Sequence, residues 1–374
     1  MKVLVTGAEG FIGKNLISWL ERREDVTVLP FDVETPAGRL EEYCADCDFV
    51  YNLAGVNRPE HVEEFMEGNF GFAATLVETL RRAGNRCPIM SSSSIQAVLD
   101  NPYGRSKKAG EDMLLGYGRE TGAKVYIYRF PNVFGKWCRP GYNSAVATFC
   151  HNIAHGLPIQ VDDRSTRLRL VYIDDVAEEL LQALDGRPHM DGDGYCFVPT
   201  VHEATLGEIV GLLYGFRESR RNLLVPDMTE GSFEKKLYST YLSYLPEDGF
   251  SYPLVMHEDA RGSFTEILRS ADRGQVSFNI SRPGITKGNH WHHTKNEKFV
   301  VVSGEGLIRF RRHGGDEVIE YRVSGEKLEV VDIPVGYTHE IVNVGDTDMV
   351  TLMWSNECYD PERPDTIPEP VDPD

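Results

Sequence analysis

A tyrosine and a lysine four positions apart, Tyr103 and Lys107, could together perform acid–base chemistry. Residues with this spacing share one face of an α-helix, so the lysine ammonium can lie beside the phenol and lower its pKa. Such a phenol can protonate the alkoxide that forms when a carbonyl carbon accepts a hydride. A hydroxyl from the four consecutive serines at 91–94 could hydrogen-bond the same carbonyl oxygen. The pattern predicts a carbonyl reductase in which Tyr103 donates the proton and Lys107 also holds a nicotinamide ribose.

Three glycines, Gly7, Gly10 and Gly13, follow the first predicted strand and open a helix. The backbone amides of such a turn, together with the helix N-terminus, can approach a pyrophosphate closely. A glycine turn is common and says little by itself. It occurs here in order with Asn-Leu-Ala-Gly at 52–55, after the third predicted strand, and with the Tyr103 and Lys107 pair. The combination predicts a dinucleotide-binding site.

The residue that closes the second predicted strand is an aspartate, Asp32, 19 positions after Gly13. A carboxylate at this place accepts hydrogen bonds from the adenosine ribose hydroxyls and repels a 2′-phosphate. From the residues alone, Asp32 therefore favours NADH over NADPH.

A second group of potential ligands lies near the C-terminal end, where His290 and His292 are separated by one residue. Alternate residues of a strand face the same way, so both imidazoles can point to one side. Glu297 on the following strand and His339 on a later one can complete a set of three nitrogens and one oxygen. Zinc, iron, manganese and nickel all accept such ligands. We therefore predict a metal site at these four residues.

The elements that must position these groups differ between the two parts of the chain. Up to about residue 200, short β-branched runs alternate with longer helical stretches, which is typical of βαβ units around a parallel sheet. After about residue 250, glycine-punctuated strands without helical periodicity indicate a small barrel. We predict an α/β Rossmann-type doubly wound parallel sheet over residues 1–246, followed by an all-β barrel over residues 247–374. The acidic, proline-rich tail from Tyr359 is expected to be poorly ordered.

Composition excludes several classes of protein. The net charge of −19 argues against nucleic acid binding, which needs a basic face. No apolar run reaches the roughly 18 residues that a membrane span requires.

The start of the chain has no pattern typical of a secretion signal, so we expect a cytoplasmic protein. Its seven cysteines are expected to be reduced, including the Cys44 and Cys47 pair, which we place on a surface helix without a functional role.

An anionic substrate would need local basic residues to overcome this negative charge. The arginines that could supply it are Arg129, Arg164, Arg167 and Arg169.

The N-terminal residues resemble the extended short-chain dehydrogenase/reductase family, which acts mainly on nucleotide sugars. The resemblance runs from residue 1 to roughly 240 and includes Arg-Phe-Pro-Asn-Val-Phe-Gly at 129–135 and Val-Tyr-Ile-Asp-Asp-Val-Ala at 171–177. It implies Ser94 as the catalytic serine, with Ser93 as the alternative, beside Tyr103 and Lys107. It implies Arg129 and Asn132 as substrate-binding residues, and of the arginines named above we also predict that Arg167 binds the substrate. The residues implied to bind the cofactor are Gly7, Gly10, Phe11, Ile12, Gly13, Asp32, Leu53, Ala54, Gly55, Tyr103 and Lys107.

The C-terminal residues 255–355 look like the two cupin motifs. The first motif, with Gly284, the histidine pair, Glu297 and Gly304, is matched throughout. The second lacks its usual leading glycine, since Leu328 stands there, but it keeps His339. The resemblance implies a cupin barrel with a metal ion. It does not imply a reaction, because cupins host many activities.

The whole chain is similar to the CapF/WbjC type of capsular polysaccharide biosynthesis enzymes, bifunctional UDP-sugar epimerases and reductases. Strings such as Ala-Gly-Val-Asn-Arg-Pro-Glu-His at 54–61 and Asn-His-Trp-His-His-Thr-Lys-Asn-Glu at 289–297 carry this likeness. It implies a UDP-2-acetamido-2,6-dideoxy-4-hexulose substrate, C3 epimerisation in a zinc cupin, and C4 reduction by NADPH. It also implies a talose-type product on the way to N-acetyl-L-fucosamine, and a homodimer. NADPH is our expectation, although Asp32 leaves NADH open.

Two other readings stay open. The cupin could be a non-catalytic sugar-binding and dimerisation module, so that only the reductase works. The N-terminal part could be a dehydratase, although those enzymes usually carry an acidic residue beside the catalytic serine, and Ser-Ser-Ser-Ile-Gln at 92–96 has none. The base for epimerisation is left open, with His293, Lys295 and Tyr337 near the predicted metal as candidates.

Overall fold

The computed structural model describes residues 1–372 and divides into two units. The first comprises Met1–Tyr214 and Gly231–Pro246, and the second comprises Gly215–Glu230 and Glu247–Asp374. Residues 215–230, which the sequence prediction assigned to the first domain, therefore group with the second unit.

The first unit alternates strands and helices as the sequence pattern predicts. Its strands are β1 (Lys2–Thr6), β2 (Thr27–Phe31), β3 (Phe49–Asn52), β4 (Ile89–Ser94), β5 (Val125–Phe130), β6 (Asn132–Phe134), β7 (Arg167–Tyr172) and β8 (His202–Thr205). Its helices are α1 (Phe11–Leu20), α2 (Gly38–Asp46), α3 (Phe72–Ala83), α4 (Pro102–Thr121), α5 (Ala145–Ala154), α6 (Ile173–Leu184), α7 (Leu206–Asn222, which continues into the second unit) and α8 (Phe233–Leu242). Short turns of π-helix (Met66–Gly71) and 3₁₀-helix (Ile95–Val98) follow β3 and β4.

A five-stranded sheet with the order β2-β1-β3-β4-β5, parallel throughout, forms the centre of this unit. Side chains alternate across it. Val3 and Val5 of β1 belong to a buried cluster with α1 and α6, whereas Leu4 between them belongs to a cluster with α2, α3 and α4. The sheet is thus covered on both faces, which confirms the doubly wound Rossmann-type fold. A small second sheet has the order β6-β7-β8.

The second unit is built almost entirely from strands. They are β9 (Met256–Asp259), β10 (Gly262–Ser270), β11 (Gly274–Ser281), β12 (Thr286–Trp291), β13 (Glu297–Ser303), β14 (Glu305–Arg312), β15 (Val318–Ser324), β16 (Val331–Ile333), β17 (Tyr337–Asn343), β18 (Met349–Ser355) and β19 (Ile367–Pro368). A 3₁₀ turn, Glu247–Gly249, precedes them.

Two antiparallel sheets make up this barrel, with the orders β16-β13-β18-β11-β10-β9 and β15-β14-β17-β12-β19. Phe299 and Val301 of β13 meet Ile308 and Phe310 of β14 in its buried core. The C-terminal all-β fold is as the sequence predicts.

Two local expectations are wrong. The tail after Tyr359 is not loose, because it contributes β19 and buries Val371 completely. Cys44 lies on a helix as expected, but it and Cys47 are buried, and the Cys47 sulfur is 3.7 Å from that of Cys87. All seven cysteines are free thiols. Among residues 1–372, no helix has both the length and the apolar character needed to cross a membrane.

Candidate functional site

The glycine turn after β1 is shaped by close backbone contacts. Gly7 has a φ of +66°, and a Cβ there would lie 2.8 Å from the Ala54 nitrogen. A Cβ on Gly13 would lie 2.2 Å from the Gly7 oxygen, so only glycine fits at both positions. Gly10 is the N-cap residue that directly precedes α1. The turn and the residues after β3 therefore meet at one edge of the sheet, where a pyrophosphate can approach backbone amides.

Asp32 lies at this edge, directly after β2. Its Oδ2 accepts a hydrogen bond from the backbone amide of Glu9 in the glycine turn at 2.7 Å, and its Oδ1 accepts one from Val33 at 2.8 Å. The carboxylate is thus held next to the turn. Phe11 and Ile12, at the start of α1, pack against the core under the sheet.

The Ser94, Tyr103 and Lys107 set comes together at the ends of β4 and α4. Helix α4 begins after Asn101, whose side chain accepts a hydrogen bond from the Gly104 amide at 2.7 Å. The Lys107 ammonium lies 5.8 Å from the centre of the Tyr103 ring and 3.4 Å from the Ser92 carbonyl oxygen. Tyr103 and Lys107 therefore lie on the same side of α4, and Ser94 is within reach of the Tyr103 hydroxyl.

Burial sets the proton affinities of these groups. It raises the pKa of Tyr103, and a hydrogen bond with Ser94 offsets part of that rise. Burial also lowers the pKa of Lys107 to about 8, which the Glu111 carboxylate partly opposes. Lys107 is therefore still mostly cationic at neutral pH, and its ammonium lies beside the Tyr103 ring.

Two neighbours of this site were not predicted. The Tyr103 hydroxyl donates to Asn57 Oδ1 at 2.9 Å, so Asn57 orients the phenol. Glu111 is buried one helical turn after Lys107 and accepts hydrogen bonds from Ser93 at 2.6 Å and from two nitrogens of Arg129 at 2.8 and 2.6 Å. The continuing four-residue spacing from Tyr103 through Lys107 could have indicated Glu111. Nothing local indicates Asn57.

A cavity of about 620 Å³ opens beside the carboxyl end of β5. Its lining includes Arg129, whose guanidinium also stacks 3.6 Å above the Tyr195 ring, and Arg169. Asn132 and Arg167, the other predicted substrate residues, are exposed and lie outside its lining. Asn132 instead donates to the Arg169 carbonyl oxygen at 3.2 Å.

The four predicted metal ligands converge inside the barrel. The nearest ligand atoms of His290, His292, Glu297 and His339 all lie within 4.8 Å of one another. They come from β12 and the residue after it, from the start of β13, and from β17. A bulge in β12, where Asn289 adopts a φ of +60°, brings His290 opposite His339. No other group of this kind occurs within residues 1–372.

The ring nitrogens fit a metal ion. His292 Nδ1 faces the carbonyl oxygen of Asp365, and His339 Nδ1 lies 3.5 Å from that of Tyr337. A carbonyl can only accept, so these contacts place the proton on Nδ1 and leave Nε2 with a free lone pair. His292 Nε2 is buried and has no hydrogen-bond partner, although it is 3.4 Å from Glu297 Oε2. A buried acceptor of this kind is satisfied by a cation between the ligands.

The protonation states agree with this fit. Burial lowers the pKa of His290 to about 4, helped by the neighbouring imidazoles, so its ring is neutral at physiological pH. Burial alone would raise the pKa of Glu297, but the pKa lies well below its usual range, and the charge of Lys295 contributes to lowering it. Neutral imidazoles beside a carboxylate are the forms that bind divalent metals.

Three residues near this centre were candidates for a base. Tyr337 packs partly buried against the barrel core. Lys295 is close enough to help lower the pKa of Glu297, and His293 is exposed beside Trp291.

A doubly wound sheet with a glycine turn and a Ser/Tyr/Lys set at its carboxyl edge defines the short-chain dehydrogenase class of α/β enzymes. This chain belongs to the NAD dependent epimerase/dehydratase family, whose model matches residues 3–192. Residues 257–367 match the polysaccharide biosynthesis C-terminal domain.

Relatives extend the likeness over the whole chain. A UDP-2-acetamido-2,6-beta-L-arabino-hexul-4-ose reductase from Pseudomonas aeruginosa is 48% identical over 366 residues, 98% of each chain. The crystal structure of the capsular polysaccharide assembling protein CapF from Staphylococcus aureus has 56% identity and a TM-score of 0.93, covering 99% of this chain and 100% of that one. A UDP-glucuronic acid 4-epimerase from Bacillus cereus, in complex with NAD, shares the fold of 67% of this chain with a TM-score of 0.56 and 18% identity.

Proposed function

We propose that this chain is a nicotinamide-dependent reductase of a UDP-linked 4-keto sugar, UDP-2-acetamido-2,6-dideoxy-4-hexulose, with a C3-epimerase activity in its cupin unit. The observation that carries the proposal is the convergence of Ser94, Tyr103 and Lys107 beside the glycine turn. The full-length likeness to a hexulose reductase supports the substrate. The product is a talose-type UDP sugar for N-acetyl-L-fucosamine in capsule synthesis, made by a cytoplasmic homodimer.

The reductase residues act on the ketone at C4. A bound nicotinamide supplies the hydride. Ser94 donates a hydrogen bond to the carbonyl oxygen and orients it, while Tyr103 delivers its phenolic proton to the same oxygen as negative charge develops there. Lys107 keeps a positive charge beside the phenol and lowers its pKa. Asn57 holds the ring in place through the 2.9 Å contact to the hydroxyl.

The cofactor is proposed to be NADPH, with NADH as the alternative. The Asp32 carboxylate already accepts the Glu9 amide, so it stays beside the glycine turn rather than turning to solvent. That position favours a ribose with two free hydroxyls. We expect Asp32→Ala to shift the ratio of kcat/KM toward NADPH. Glu34→Ala, at an exposed acid two residues on, serves as the control and should leave the ratio unchanged.

The cupin unit is proposed to hold zinc through His290, His292, Glu297 and His339. When bound, the metal supplies Lewis acidity toward the sugar carbonyl. The C–H bond at C3 is acidic because it is next to that carbonyl, so a nearby base can remove the proton, and protonation of the resulting enolate from the other face, by an acid in exchange with solvent, inverts the centre. His293, Lys295 and Tyr337 are the candidates for that proton transfer.

Isotope exchange separates this proposal from the reading in which the cupin only binds sugar. The purified protein is incubated with the UDP-4-keto sugar in deuterated water without any nicotinamide, and C3 is followed by NMR. We expect deuterium at C3 in the wild type and none in His290→Ala. A wild type that reduces the ketone yet never exchanges C3 would leave the cupin as a non-catalytic module.

A further inference from the structure

The C-terminal strap, defined here as residues 360–372, is bound along the metal-bearing part of the barrel. Its short strand β19 pairs antiparallel with β12, placing Pro368 opposite His290 and Ile367 opposite Trp291. The Glu369 amide then donates to the Asn289 carbonyl oxygen at 2.9 Å. The strap therefore runs directly beside a strand that carries a ligand.

Side chains from neighbouring strands fix the end of the strap. Arg311 of β14 is nine-tenths buried and donates to the carbonyl oxygens of Val371 at 2.8 Å and Pro370 at 2.7 Å, and to the Glu369 carboxylate at 2.9 Å. Thr338 of β17 donates to the Glu369 carbonyl oxygen at 2.5 Å. A segment held by this many directed contacts is part of the barrel rather than a free tail.

Asp365, at the start of this pairing, binds the turn between two of the ligands. Its carboxylate accepts hydrogen bonds from three successive backbone amides, those of His293 at 2.9 Å and of Thr294 and Lys295 at 2.8 Å. Its own carbonyl oxygen accepts the Nδ1 proton of His292. One residue therefore fixes both the loop that leads from His292 to Glu297 and the imidazole at its beginning.

We propose that Asp365 is a positioning residue of the metal centre, which makes the C-terminal strap an integral part of that site. This inference rests on the metal site of the proposed function. The backbone oxygen of Asp365 selects the tautomer of His292 in which Nε2 is free for the metal, and it restrains rotation of the ring. The carboxylate sets the spacing between His292 and Glu297 by closing the intervening turn.

The test measures zinc affinity by competition with a chromogenic chelator, and the rate of zinc loss to excess EDTA, on the full chain. Asp365→Ala removes the acceptor for three amides, so residue 365 is no longer held against His292. We expect zinc binding about 10- to 100-fold weaker, the usual effect of losing a partner that orients a ligand. Asp360→Ala is the matched control, because Asp360 lies in the same strap and bonds only within it, to Glu362 and Arg363.

The outcomes separate the two claims. Zinc affinity and release in Asp365→Ala within twofold of wild type and Asp360→Ala would overturn the role of Asp365. If Asp365→Ala does not fold, Asp365→Asn decides, since an amide is a weaker acceptor and should release zinc severalfold faster. A wild type without zinc affinity would instead overturn the proposed metal site itself.

Discussion

At the scale of single residues, the reductase site depends on how burial sets proton affinity. Tyr103 and Lys107 are both partly buried, and this burial disfavours the charged form of each: it raises the pKa of Tyr103, which Ser94 partly opposes, and lowers that of Lys107, which Glu111 partly opposes. The phenol also donates a hydrogen bond to Asn57 and interacts with Ser94. The four-residue spacing of Tyr103 and Lys107 predicts that the two side chains lie on one side of a helix. The sequence cannot identify Asn57, because that contact depends on how the loop after β3 folds back.

Replacing Tyr103 by Phe removes the proton donor while keeping the ring. We expect ketone reduction to fall by about 10²- to 10⁴-fold, the usual contribution of a general acid. Exchange at C3 should persist, because the cupin residues are untouched. Nicotinamide oxidation and C3 deuteration measured on the same preparation give both numbers, and a variant that keeps most of its reductase rate would refute the role of Tyr103.

The rate of reduction should depend on pH through the protonation state of Lys107. Burial lowers its pKa to about 8, so the ammonium is present below that pH and is lost as the pH rises through it. We expect kcat/KM for the keto sugar to decline above about pH 8. Lys108→Ala, at the neighbouring lysine that pairs with Asp112, should leave the profile unchanged. A flat profile through pH 9 would mean that the charge on Lys107 is not needed.

At the scale of elements, α4 connects the reductase residues to the cavity beside β5. Glu111 on this helix is buried and holds Arg129 of β5 through two hydrogen bonds. Arg129, predicted to bind substrate, is thus already paired, although it lines the cavity. The pairing depends on packing between a helix and a strand, which is why the motif around Arg129 does not reveal it.

Glu111→Gln should destabilise the first unit, because it leaves the Arg129 guanidinium without its carboxylate. Removing one partner of a buried ion pair costs about 3 kcal/mol or more. Glu120→Gln on the same helix is the control, since Glu120 is exposed and pairs with Arg81 at the surface. Its free energy of unfolding should change by less than about 1 kcal/mol. Denaturant unfolding of both variants makes the comparison, and equal stabilities would contradict the account.

The strands and helices of the first unit could be predicted because each βα repeat has a local pattern of β-branched runs and amphipathic stretches. The C-terminal strap could not. Its composition is acidic and rich in proline, which is typical of disorder, yet Val371 is completely buried and Arg311 binds the strap. Those contacts come from residues about 60 positions earlier, so no local pattern encodes them.

At the scale of the whole molecule, the chain combines a Rossmann-type fold with a barrel in which four potential metal ligands converge. Each unit has its own buried core. A substitution that abolishes metal binding in the barrel should therefore leave nicotinamide binding in the first unit intact, and the reverse. The spacing of the histidines predicts that their side chains converge, because alternate residues of a strand face one way, and they do converge with Glu297 and His339. The histidine tautomers and the contacts of Asp365 could not be predicted from the sequence, because they depend on residues that only the fold brings together.

His339→Ala should cost zinc and stability together while nicotinamide binding persists. A ligand that binds only the folded state raises the free energy of unfolding by about 2.7 kcal/mol when its concentration is 100 times its Kd. We expect EDTA to lower the Tm of the wild type to that of the variant and to leave the variant unchanged. Elemental analysis measures the zinc content, and thermal unfolding with and without EDTA measures the Tm. A wild type whose Tm is the same with and without EDTA would contradict the prediction.

The central claim is that this chain reduces a UDP-linked 4-keto sugar at C4 with a nicotinamide. The most direct measurement uses nicotinamide cofactor labelled with deuterium at C4 of its ring and follows the UDP-sugar product by NMR. The account predicts that one deuterium arrives at C4 of the sugar in the wild type and that Tyr103→Phe blocks this transfer. An unlabelled sugar C4, with the ketone unchanged or water lost from the substrate, would contradict the assignment as a reductase.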